Sequence, residues 1–208
     1  GKVPAVVIIK NRDRNVEWIV KHQKLSSGKI LYLNLNSGED GATGSNNGII
    51  GDLNNASTFS LTRTSNSGNY NNNNVTGEKY VAFCYAEIPG YSKFGIYRGN
   101  DSSDGVFNDC GFKPAIIITA GKNSSDAWVL WDNARDPDNV GHHRSYPNQA
   151  TVESTSISSG TSMVDFYSNG FKFRGSSDDT NGTNRHYIYM AFAEEPVNTP
   201  FGSSSLGR

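Results

Sequence analysis

The chain is written twice. Gly1-Lys2-Val3-Pro4-Ala5-Val6-Val7-Ile8-Ile9 returns 110 residues later as Gly111-Phe112-Lys113-Pro114-Ala115-Ile116-Ile117-Ile118-Thr119. The same offset carries Glu17-Trp18-Ile19-Val20 onto Ala127-Trp128-Val129-Leu130. At an offset of 107, Asn74-Val75-Thr76 falls on Asn181-Gly182-Thr183, Tyr80-Val81 on Tyr187-Ile188, and Tyr85-Ala86-Glu87 on Phe192-Ala193-Glu194. Between these anchors, Thr58–Arg63 resembles Asn169–Arg174, and the first copy carries extra residues around Asn71-Asn72-Asn73-Asn74. A Pro, a Trp and an Ala-Glu pair recurring in one order indicate a duplication. Whatever fold the chain adopts must therefore be one that a unit of about 100 residues can build and then repeat. The reading places repeat one at 1–91, a connecting hairpin at 92–110, repeat two at 111–197 and a tail at 198–208.

Each copy reads as β. Its runs are short, rich in Val, Ile, Tyr and Phe, and bounded by Gly, Asn, Ser and Asp. Copy one offers Ala5–Lys10, Glu17–His22, Ile30–Asn36, Thr58–Arg63 and Lys79–Glu87; copy two offers Ala115–Ala120, Ala127–Asp132, Met163–Tyr167, Gly170–Arg174 and His186–Glu194. Leu31, Leu33 and Leu35 alternate with polar or amphipathic residues, which predicts one shared face. Pro4 and Pro114 donate no ladder hydrogen bond, so each is expected to begin a strand. Gly141-His142-His143-Arg144-Ser145-Tyr146-Pro147 departs from the Tyr-Leu-x-Leu-Asn pattern of copy one, which leaves the third strand of copy two in doubt. Ser92–Asn100 and Val106–Phe112 occur once, as two strands around a Gly/Asn/Asp/Ser loop. A matching hairpin is expected upstream of Gly1 in a parent chain. About a dozen short strands with frequent turns predict an all-β fold, a β-sandwich or jelly roll. One joint sandwich, or two packed ones, is favoured over independent beads, because half-sheets leave edges that invite pairing.

Composition supports this and excludes other classes. Gly (22), Asn (24) and Ser (25) supply about a third of the 208 residues, yet aromatics reach 11%. Wholly disordered chains lack such aromatics. The longest apolar run, Ala5–Ile9, is far short of the ~20 residues that span a bilayer. A net charge of −1 argues against nucleic acid as a partner. Two cysteines, Cys84 and Cys110, make no framework and are read as buried free thiols, with a disulfide between them as the lesser reading.

Several motifs together resemble a known family. They are Gly-Phe-x-Pro-Ala at 111–115, Trp131-Asp132-Asn133-Ala134-Arg135, Val164–Arg174 and Tyr187–Pro196, with Tyr85–Gly95 followed by Tyr97-x-Gly99-Asn100. The set resembles a duplicated β domain of virion structural proteins of tailed phages, especially marine ones, often near the C-terminus of fibre-like proteins. The resemblance covers nearly the whole chain. It implies a non-enzymatic module on the particle surface, of capsid-decoration, head-fibre or tail-fibre type, and a concanavalin-like form of the sandwich. Expected partners are further copies of the chain, with a trimer in view, other virion proteins and a host surface glycan. Membrane insertion is not expected. The family supplies no catalytic residue.

The residues themselves add candidates. Trp131 lies three residues beyond Trp128, has Lys21 as its counterpart, and is read as the exposed ring on which a sugar stacks. Trp18 and Trp128 are matched and read as core. Tyr70 and Asn72, in the Asn-rich insertion, join Trp131 as the expected glycan or partner contacts. Asp132, Asp136 and Asp138 form a loop with clustered oxygens, the pattern a Ca²⁺ ion takes, although a polar turn reads equally from the same residues. No other cofactor is expected. His142-His143 could bind a transition metal, but as a pair without spaced partners it reads as a solvated loop. Glu87 and Glu194 occupy equivalent positions. As paired acids they carry the alternative reading, a carbohydrate-active enzyme or a carbohydrate-binding module; as strand-end residues they are structural. A bacterial surface adhesin is a third reading.

Overall fold

The structure is a computed structural model and describes residues 1–41, 49–62, 74–157 and 161–195. Among the described residues there are fourteen strands and no helix, so the all-β expectation holds. The chain divides into two compact units, Gly1–Ala86 and Glu87–Arg208.

The first unit holds β1 (Pro4–Asn11), β2 (Ile19–His22), β3 (Lys29–Tyr32), β4 (Asp40–Gly41), β5 (Ile49–Ile50), β6 (Leu61–Thr62) and β7 (Tyr80–Ala86). Five of these form an antiparallel sheet in the order β4-β3-β2-β1-β7. The β5-β6 pair packs on it: Ile50, with Leu53, Phe59 and Leu61, joins Val7, Ile9, Ile19, Ile30 and Tyr32 in one apolar cluster. The second unit holds β8 (Ser92–Arg98), β9 (Phe107–Asp109), β10 (Pro114–Gly121), β11 (Val129–Asp132), β12 (Val164–Tyr167), β13 (Gly170–Phe173) and β14 (His186–Ala193). Here a sheet ordered β11-β10-β14-β8 packs on a sheet ordered β12-β13-β9, with Ile117, Trp131, Phe171, Phe173, Tyr187 and Tyr189 between them. This is the two-layer arrangement of a sandwich.

The pairings of the second unit reproduce those of the first at the two offsets seen in the sequence. Val7↔Lys21 and Ile9↔Ile19 become Ile117↔Trp131 and Thr119↔Val129. Pro4↔Ala86 and Asn11↔Tyr80 become Pro114↔Ala193 and Gly121↔Tyr187, each with a bulge after the proline. Both prolines begin their strands, as a residue without an amide proton should. Outside the strands the correspondence continues. The Val75 amide donates to the Tyr80 hydroxyl, and the Gly182 amide to the Tyr187 hydroxyl.

Two expectations need correction. Residues 92–110 are not a connecting hairpin. β8 pairs with β14 and β9 with β13, so the segment crosses from one sheet of its unit to the other. The Leu31–Leu35 alternation also stops early. β3 ends at Tyr32, and a turn follows in which the Leu33 amide reaches the Trp18 carbonyl and Asn34 Oδ1 accepts from the Trp18 amide. Leu35 is consequently exposed. In copy two the doubtful third strand shrinks to a single bridge, Leu130↔Ser145. Asn148 Oδ1 accepts there from the Trp128 amide.

Lys21 is the unexpected member of the first unit. It occupies the position equivalent to Trp131 and is just as buried. Its Nζ donates to the carbonyls of Ser26 (3.2 Å) and Lys29 (3.0 Å) and meets Asp52 Oδ1 at 2.8 Å. The Lys21 ammonium, then the Ser27 hydroxyl, hold the Asp52 carboxyl down at about 2, against an ordinary 3.8. A carboxyl lower in the folded than in the unfolded state stabilises above its unfolded value. That stabilisation is therefore complete above about pH 4 and disappears as pH falls through about 2. Asp52→Asn is expected to cost the first unit about 1–2 kcal/mol at pH 7, below the range for fully buried pairs because Asp52 is 45% exposed to screening water. The variant and parent should converge near pH 2; urea unfolding at pH 7 and at pH 2 checks both the loss and the convergence.

Candidate functional site

Trp131 does not present a ring to a ligand. It is 1% exposed and lies 5.2 Å from Phe173, centroid to centroid. Strand alternation from Trp128 led the sequence reading astray, because Trp128 precedes β11 rather than belonging to it. Within β11 it is Val129 and Trp131 that face the core. Of the matched pair, Trp128 is buried, whereas Trp18 is half-buried and stacks on exposed Phe83 at 6.4 Å. Tyr70 and Asn72 lie outside the described residues.

The three aspartates do not converge on a common point. Asp132 is held by Arg135, whose Nε lies 2.5 Å from Oδ2 and whose amide donates to Oδ1. Asp138 is exposed. Asp136 turns the other way, toward His142 and His143. Both cysteines are free, but only Cys110 is buried, and burial pushes its thiol up to about 12; Cys84 is exposed. Glu87 and Glu194 are each occupied by a lysine, at 2.6 Å from Lys93 and 2.7 Å from Lys113.

The cluster that does form is Asp136 with His142 and His143. Asp136 is only 8% exposed, where a bare carboxylate is costly. It is satisfied from one side: Oδ2 accepts the amides of His142 (2.7 Å) and His143 (2.6 Å). Burial alone would raise its pKa; the His143 ring and these two amides outweigh burial and leave it lowered. Oδ1 faces both imidazoles, 2.6 Å from His143 Nδ1 and 3.7 Å from His142 Nδ1. The two rings lie 4.5 Å apart, each about a third exposed. Behind them Arg144 is buried and donates to the carbonyls of His142 and Ser162, which fixes the loop. Adjacent histidines read in sequence as a solvated pair; the signal that was overlooked is their six-residue spacing from Asp136.

A second feature is the outer edge of β7. β7 ends its sheet, and among the described residues no strand pairs with its other side. Its equivalent β14 pairs on that side with β8 along seven residues, His186↔Arg98 to Phe192↔Ser92. The side chains follow suit. Ala82, Phe83 and Cys84 are exposed, Phe83 by 42%, whereas their counterparts Tyr189, Met190 and Ala191 are buried. Gly95 of β8 permits this packing, because a Cβ there would overlap the Tyr189 ring. Beside the β7 edge lies a pocket of about 210 Å³ lined in part by Pro4, Phe59 and Cys84.

Residues 1–196 match the family model described as Domain of unknown function (DUF7483). The chain belongs to this family. No curated protein and no solved structure matches the chain. The span of the DUF7483 domain takes in both units' sheets, the β7 edge and the Asp136 cluster.

Proposed function

We propose that this DUF7483 chain is a non-enzymatic structural module on the surface of a virus particle, of the decoration or fibre kind that its motifs resemble. The observation that carries the reading is the β7 edge. A strand with exposed Ala82, Phe83 and Cys84, beside an equivalent strand that is paired and buried, is a template for an added strand. Modules that assemble with copies of themselves or with neighbouring particle proteins work through such edges. The equivalent carboxylates speak against the enzyme alternative, since Glu87 and Glu194 are each neutralised by a lysine. With Trp131 in the core, a host glycan contact rests in this reading on the loop of Tyr70 and Asn72.

Imaging of purified particles with an antibody to the chain tests the proposal. The label is expected on the outer surface. Particles without the chain would overturn the structural reading. So would glycan cleavage by the purified chain that disappears in the Glu87→Gln, Glu194→Gln double variant.

A further inference from the structure

We propose that Asp136, His142 and His143 form a binding site for a divalent transition-metal ion of the zinc type. Two imidazoles and one carboxylate are a donor set that such ions favour and that Ca²⁺, which takes oxygen ligands, does not. One ligand atom from each of the three residues lies within 4.8 Å of the other two, and both Nδ1 atoms face Asp136 Oδ1.

The spacing fits an ion. Ligands on a tetrahedral zinc, with bonds of about 2.0–2.1 Å, stand roughly 3.3 Å apart. Oδ1 lies 2.6 Å from one imidazole nitrogen and 3.7 Å from the other, so the observed distances bracket that value. Binding an ion would take His142 Nδ1 off the Val140 carbonyl, which lies 3.3 Å from it. The carboxylate is oriented in advance: Oδ2 is tied to two backbone amides, which leaves Oδ1 to the imidazoles as a single-oxygen ligand. Fixed outer partners of this kind raise the affinity of metal sites. Asp136 is buried while both rings are partly exposed, which gives an ion a path from solvent and leaves its remaining position to water. The three ligands lie within eight residues of one loop, so the ion would clip residues 136–143 together.

The test is calorimetric titration of the full chain with ZnCl₂ at neutral pH, in a Cys84→Ser background that removes the exposed thiol. One ion per chain is expected, with His142→Gln and His143→Gln each weakening binding at least tenfold. Both rings are partly exposed, so these variants keep the fold, which circular dichroism verifies. CaCl₂ is expected to give no saturable heat. The absence of saturable zinc binding would overturn the site, as would zinc binding of undiminished affinity in the folded double variant His142→Gln, His143→Gln.

Discussion

Trp131→Ala is expected to destabilise the second unit by about 3–5 kcal/mol, the range for deleting a large buried aromatic. The ring is closed in by Phe173 and shares its cluster with Ile117, Val129 and Tyr187. Neighbours in a close-packed core relax only in part, so the void is not fully refilled. Among the described residues the indole Nε1 has no hydrogen-bond partner, so packing holds the ring there. Trp131→Phe should therefore cost much less than Trp131→Ala, since it keeps an apolar ring and removes the orphaned N–H. Calorimetric unfolding of the three proteins measures both differences. An exposed stacking platform, as the sequence suggested, would change stability by no more than about 0.5 kcal/mol on truncation. The two accounts of Trp131 thus predict results far apart.

Asn181→Ala is expected to cost the same unit about 2–4 kcal/mol, from one buried and two part-buried hydrogen bonds lost together. Asn181 Nδ2 donates to the carbonyls of Ser102 (2.8 Å) and Gly175 (2.9 Å), and Oδ1 accepts from the Asn100 amide (3.1 Å). The side chain thereby ties the loop that leaves β8 to the loop that follows β13. Its removal strands the buried Gly175 carbonyl, which is costlier than never having had the bond, and leaves the part-buried Ser102 carbonyl and Asn100 amide without their partner. The main chain of Asn181 still holds Asp101 and Ser177, so the loop should loosen rather than detach. Faster hydrogen exchange at the amides of residues 99–105 would register the loosening. The equivalent Asn74 is exposed, with φ at +57°, and among the described residues its side chain donates to the Leu61 carbonyl at 3.3 Å. Asn74→Ala should cost well under 1 kcal/mol. The asymmetry follows from the β8–β9 segment, which Asn181 has at hand within its unit.

The duplication made most of the fold legible. Pro4 and Pro114, the Trp pair and the final Ala-Glu pair mark β1 with β10, the entries to β2 and β11, and β7 with β14. Strand pairs depend on backbone and on two-residue alternation, and both leave a mark in sequence. What alternation cannot show is where a strand stops. The turn at Leu33 depends on the Trp18 carbonyl, fifteen residues away, and the core position of Trp131 depends on β11 starting at Val129. The burial of Lys21 was equally hidden, because it is made possible by carbonyls at Ser26 and Lys29 and by Asp52. Of the candidate site, Asp136 and the histidine pair were each legible but their convergence was not. The acidic run Asp132–Asp138 suggested an oxygen cage, while the chain path carries Asp136 onto two imidazoles and leaves Asp132 to Arg135.

The central claim is that the β7 edge accepts a strand as the β14 edge does. A second copy of residues 87–110, fused directly ahead of Gly1, places the β8–β9 segment before β1 as it stands before β10. Hydrogen exchange across residues 80–86 is the measurement. The account predicts that exchange in β7 slows at least tenfold on fusion and that Phe83 becomes protected from solvent. Unchanged exchange in β7, with the added segment exchanging as a free tail, would contradict it.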